Sequence, residues 1–165
     1  MKSVRTIITI FALAAIAFGV YYFFFPPPEK VIRKRLTKLA EAISSRPEGN
    51  ISMMANINRI GSFFHPNVTV SVQGYEQLGA VSGRNELQQA ALAARQRLGS
   101  ISVEFYNVEV LVAPDETNAT VTASALVKIN NDPNAQVQDV KLEFEKYDRA
   151  WMIRSATPSK SLKPQ

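Results

Sequence analysis

The sequence predicts an α+β domain, three helices followed by long antiparallel strands, behind one transmembrane helix. Three observations carry this. Residues Thr6 to Phe25 contain no charge, apolar residues recur at steps of three and four in three stretches between residues 28 and 98, and from Ile101 onward the apolar period changes to two.

The first segment reads TIITIFALAAIAFGVYYFFF, twenty residues that at about 1.5 Å of rise each span the roughly 30 Å hydrocarbon layer. Lys2 and Arg5 give it the basic lead of a secretory signal. Cleavage after Ala15-Ile16-Ala17 would leave the apolar FGVYYFFF as a new terminus, so a retained signal anchor fits better. Tyr21 and Tyr22 suit the membrane interface, and Pro26 to Pro28 stop the helix. The chain thus divides into residues 1–25, the anchor, and residues 26–165, a folded domain with a polar tail from about residue 158. Two basic residues precede the span and Lys30, Arg33, Lys34, Arg35 and Lys38 follow it. A bare count of these charges places the domain in the cytoplasm, whereas a short basic lead tends to stay inside and long domains translocate regardless of charge. The expectation is a single-pass membrane protein with its domain on the outer, periplasmic or extracytoplasmic, side.

In the domain, a helix from about Pro28 to Ser45 aligns Ile32, Leu36, Leu39 and Ile43 on one face. A second starts near Asn50 as N-cap, aligns Met53, Ile57, Ile60 and Phe64, and ends at His65-Pro66. Val68, Val70 and Val72 alternate as a short strand. A third helix follows Ser82-Gly83 and repeats the pattern through Leu87, Ala91, Ala94 and Leu98. In the first long strand Ile101, Val103 and Phe105 share a face, then Val108, Val110 and Val112 do. That change of parity near Tyr106-Asn107 predicts a β-bulge and a sharp bend. Ala119 through Ile129 gives the next inward set, Val140, Leu142 and Phe144 another, and a turn at Asp148-Arg149-Ala150 leads to Trp151 and Ile153.

Composition narrows the chemistry. The 165 residues are 46% hydrophobic and 20% charged, with no cysteine, one histidine and 7 glycines. Disorder, collagen, a disulfide scaffold and a thiolate zinc site are excluded. No metal set or cofactor motif is present, and none is expected. The net charge of +5 is uneven: residues 26–100 carry ten basic and five acidic side chains, residues 101–148 three and nine. Because the basic surplus sits beside the anchor and without a nucleic-acid motif, it points to anionic headgroups, through Arg33, Lys34 and Arg35, rather than to nucleic acid.

Three helices with a short strand before the third, then a curved sheet, together with FFHPNVTV (63 to 70), SGRNELQQA (82 to 90) and DRAWMI (148 to 153), resemble the nuclear transport factor 2-like, or SnoaL-like, superfamily with its cystatin-like fold. The resemblance covers about residues 28–157. It implies a cone in which three helices pack in the concave face of the bent antiparallel sheet, with a pocket at the wide end. Enzymes of that group carry a carboxylate base just after the first strand. The matching position falls near Val72, flanked by Ser71 and Gln73, none of which abstracts a proton at neutral pH. No catalytic residue is nominated.

His65 has no companion nucleophile and reads as a helix-end cap. The small face of Ala119, Ala123 and Ala125 leaves room for a ligand, or packs against Ala90, Ala91, Ala93 and Ala94 of the third helix. Pocket candidates are Phe64, Tyr75, Ala123, Phe144 and Trp151, each also an ordinary core residue. Arg84 could hold an anion or sit in a salt bridge. The functional expectation is a membrane-anchored, non-catalytic domain that binds a protein partner, a second copy as a homodimer, or a small ligand near the membrane. The alternative is a SnoaL-like isomerase, cyclase or hydro-lyase using a base such as Glu76 or Asp139.

Overall fold

Proline sets where the first helix begins. Pro27 is extended (φ −55°, ψ 142°), and Pro28 takes the first helical position, where a missing N–H is no loss. In the computed structural model, which describes residues 26–45, 49–71, 80–130 and 135–159, helix α1 spans Pro28–Ser44, α2 Asn50–Gly61 and α3 Arg84–Arg97. Six strands, β1 (Phe64–Val70), β2 (Val81–Ser82), β3 (Ile101–Val112), β4 (Asn118–Ile129), β5 (Gln136–Tyr147) and β6 (Ala150–Pro158), form one sheet in the order β2-β1-β6-β5-β4-β3. Neighbours are antiparallel except β1 and β6, which run parallel. The expected anchor, residues 6–25, lies outside the described residues, and among those described no helix is long and apolar enough to cross a membrane.

The predicted stripe of α1 faces inward: Ile32, Leu36 and Leu39 are buried, joined by Ala42, with Ile43 at the edge. Helix α2 departs from expectation at both ends. Its N-cap is Gly49, at φ 81°, a backbone conformation glycine adopts without strain, and Asn50 is already helical. It stops at Gly61, because the Ser62 N–H and hydroxyl take the final carbonyls of Asn58 and Arg59. Phe64, His65 and Pro66 then enter β1, where pairing with β6 outweighs the helical spacing. Pro66 falls where the β1–β6 register shifts, between Phe64 and Thr69, one of the places a strand tolerates a residue without an N–H. At Gly61 an added Cβ would lie 2.5 Å from the end of the Gln88 side chain, which would have to move aside.

The change of parity in β3 is a bulge. Pairing with β4 is regular from Ile101 to Tyr106, shifts, and resumes at Glu109, with Asn107 left-handed at φ 51°. One extra residue therefore keeps Val103 and Phe105, then Val108 and Val110, on the helix-covered face. Opposite them in the core stand Ala119 and Val121 of β4, Leu142 and Phe144 of β5, and Trp151 and Ile153 of β6. The β5–β6 turn uses Asp148 (φ 48°) and Arg149 (φ 64°), consecutive left-handed residues as a two-residue hairpin with right-handed twist requires.

Candidate functional site

An inward-facing site would have to be built from the helix-covered side of the sheet, and there the alternation of each strand decides what chemistry is at hand. The residues pointing to that side are Ile101, Val103, Phe105, Val108, Val110 and Val112, then Ala119, Val121, Ala123, Ala125 and Val127, then Val140, Leu142 and Phe144. Every acidic side chain of β3 to β5 (Glu104, Glu109, Asp139, Glu143 and Glu145) stands on the open face instead. Asp139, one of the two carboxylates proposed as an alternative base, is thus turned away from the helices. Its Oδ1 accepts a hydrogen bond from the Ser124 hydroxyl at 2.7 Å. Glu76, the other, lies outside the described residues, as do Val72 and Gln73. Ser71 donates its backbone N–H to Ala156 O at 2.9 Å.

Of the pocket candidates, Phe64, Phe144 and Trp151 are buried together around Ile153 in the core, and Ala123 is buried on the same face. Tyr75 lies outside the described residues. Helix α3 lies on α2, β1 and β2 rather than along β4, so its alanines do not meet those of the strand. None of its residues is fully buried, and Leu87, Ala91 and Leu92 reach the core only in part.

His65 does not cap α2. It sits in β1, 5% exposed, with its ring edge-on to Tyr147 at 4.6 Å between centroids, and its Nδ1 accepts the Asn67 N–H at 3.0 Å. With Nδ1 an acceptor, the neutral ring carries its proton on Nε2. Arg84 is spoken for as well. Its Nε donates to Phe64 O at 3.0 Å, with Nη2 on the same oxygen, so it fixes the start of α3 to β1. Among the described residues no three His, Cys, Asp or Glu side chains group as a metal site would require.

Surface hollows border the described residues. One of about 490 Å³ lies between α1 and β3, floored by Leu36, Ala40, Val103, Phe105 and Val108 and edged by Arg33, Thr37, Glu41 and Glu104. It exists because β3 is the last strand of the sheet and α1 bridges its free edge at two points. Arg33 Nη1 donates to Val108 O at 2.6 Å, and Ser44 Oγ accepts the Val103 N–H at 2.9 Å. Between these anchors the helix presents Ala40 and leaves the gap. A second hollow, about 440 Å³, sits at the β3–β4 hairpin and includes Ala119 and Phe144. A third, about 330 Å³, lies at the start of α3. Residue spacing does not point to the α1–β3 groove. A helix laid along an edge strand depends on sheet order, which periodicity does not show; the small pair Ala40 and Ser44, one turn apart, was the available signal.

The basic residues nominated for headgroups separate into two kinds. Arg35 lies over the Phe63 ring at 5.2 Å and donates to Ser62 O at 3.2 Å, and burial lowers its pKa. Arg33 is tied to β3, as above. Lys34 alone of the three is exposed without a hydrogen bond to described residues.

Comparison with known proteins agrees with the architecture. No protein-family model matches the chain, and no curated protein shows significant sequence similarity to it. Among solved structures it is similar to a proposed aromatic ring hydroxylase from Novosphingobium aromaticivorans, at 12% identity and TM-score 0.64, covering 81% of this chain and 88% of that one. It is similar also to a proposed dehydratase of the nuclear transport factor 2-like family from Streptomyces avermitilis, at 18% identity and TM-score 0.61, over 80% and 96% of the two chains. A nuclear transport factor 2-like protein with a cystatin-like fold from Novosphingobium aromaticivorans matches at 12% identity and TM-score 0.62, over 92% and 90%. The chain therefore has the α+β nuclear transport factor 2-like, cystatin-like fold, with six strands and three helices among the described residues. At these identities the likeness extends to fold and not to activity.

Proposed function

We propose that the protein is a membrane-anchored, non-catalytic binding module of this fold, held by residues 6–25 with its domain on the outer side, that associates with a second copy or a protein partner through the open face of its sheet. The observation that carries the reading is the division of the sheet's two faces. The helix-covered side of β3 to β5 offers aliphatic and aromatic side chains where an enolising enzyme needs a base. The open side carries four of the large exposed apolar residues, Tyr106, Leu111, Val137 and Tyr147, with Leu111 72% and Val137 57% exposed. Apolar side chains standing out among polar ones suit an interface. A small ligand in the α1–β3 groove is compatible with this reading. Several solved structures of the same fold carry names of proposed dehydratases and hydroxylases, and the enzymatic alternative would need a base from outside the described residues, such as Glu76.

Sedimentation of the full chain in detergent tests the proposal. A dimer is expected, and Leu111→Asp with Val137→Asp weakens it by about tenfold or more, the scale of losing an apolar anchor from an interface. A chain that is monomeric at every concentration and captures no partner through this face, or a dimer indifferent to both substitutions, overturns it.

A further inference from the structure

Most of the charges of α1 run against its own dipole. A helix N-terminus is electropositive and favours anions, while cations favour the C-terminus. Glu29 in the first turn suits it, yet α1 also carries Lys30, Arg33 and Lys34 in its first half, no basic residue in its last turn, and Glu41 there instead. Arg33 and Arg35 are held by Val108 O and Ser62 O. That leaves Lys30, Lys34 and Lys38, all exposed and in no ion pair with described residues. They are spaced four residues apart, so they form one line about 12 Å long down the helix. Like charges at this spacing repel each other.

We infer that Lys30, Lys34 and Lys38 form a docking stripe for the anionic surface of a lipid bilayer, so that α1 lies along the membrane. The inference rests on the anchor reading of residues 6–25. The uncharged run ends at Phe25, five residues before Lys30, which therefore stays within about 18 Å of it along the chain. The extended Pro27 frees the axis of α1 from that of any helix preceding it. Attraction between lysine and an anionic leaflet decays within a Debye length of about 8 Å, so the stripe works only when α1 is laid down, and the proline break permits that. Glu41, at the end far from the anchor, marks where the basic stripe stops.

The test uses the full chain with one cysteine introduced at Thr37, exposed beside the stripe, carrying a polarity-sensitive fluorophore. It is reconstituted in phosphatidylcholine vesicles with or without phosphatidylglycerol. Phosphatidylglycerol is expected to shift the emission to the blue and to reduce quenching by neutral acrylamide, and both effects should vanish in high salt. Replacing Lys30, Lys34 and Lys38 by Gln should abolish the response, whereas replacing Lys128, Lys141 and Lys146, the same charge change elsewhere, should leave it. Flotation separates this inference from the reading beneath it. A chain that floats with neutral vesicles but shows no phosphatidylglycerol response retains the anchor and overturns the stripe. A chain that floats with neither overturns both, and one that floats only with phosphatidylglycerol keeps the stripe without the anchor. An equal response loss in both triple variants, or a stripe that captures a labelled oligonucleotide while ignoring lipid, also overturns it.

Discussion

At the scale of single residues, the side chains with the clearest duties hold the backbone. Asp115 is an example in the β3–β4 turn. Its carboxylate accepts the Thr117 hydroxyl at 2.6 Å and the Thr117 N–H at 3.1 Å, and these bonds, the hydroxyl's first, hold its pKa below the ordinary carboxylate value. Because the folded value is the lower one, the contribution of the carboxylate to the turn is complete above the unfolded pKa and is lost as acid carries the pH down through the depressed value. Thr117→Val removes the larger cause. A carbon-13 titration of the Asp115 carboxyl should move its midpoint upward in that variant, and an unchanged midpoint would assign the depression elsewhere. Asp115 is fully exposed, so the effect belongs to the midpoint and not to global stability. His65 shows the same rule inside the sheet: the one histidine, conspicuous in sequence, spends Nδ1 on a backbone N–H.

At the scale of elements, local pattern was readable wherever the alternation of a strand or one face of a helix decided burial. The exchange of parity in β3 located the bulge at Tyr106-Asn107 because a sheet with one buried face cannot let its apolar residues swap sides without an extra residue. The end of α2 was not readable. Phe64 continues the helical spacing of Ile57 and Ile60, but β1 gains a parallel partner in β6 about ninety residues away, and that non-local pairing prevails. Likewise, of the two alternatives for the alanines of β4, cover by the alanine-rich α3 does not hold, because adjacency in space follows sheet order. The bulge itself makes a prediction. Asn107 holds φ 51°, tolerable for asparagine and free for glycine, but about 1–2 kcal/mol unfavourable for other residues and worse when β-branched. Asn107→Val should destabilise the domain by about that much in urea titration, while Asn107→Gly should be near neutral. Equal effects of the two would mean that the bend does not depend on this backbone conformation.

At the scale of the whole molecule, the fold was legible because the order of helices and strands constrains topology. The site was less so, because which surfaces remain open depends on contacts such as Arg33 to Val108 that no spacing announces. What joins fold to function is the position of α1, which packs its apolar stripe into the sheet, fastens the free edge of β3, and follows directly on the uncharged run. An outward domain with a lysine stripe on that helix further requires a membrane whose outer surface is anionic, since the attraction does not survive a neutral leaflet. Orientation is therefore the measurement on which the membrane part of the reading turns. Because the chain has no cysteine, Gln96→Cys, exposed in the last turn of α3, supplies a unique thiol. An impermeant maleimide should label it in intact cells. Labelling only after lysis would place the domain in the cytoplasm, where the five basic residues that follow the span would satisfy the positive-inside rule. The stripe would then face the inner leaflet, and the outward assignment would fall.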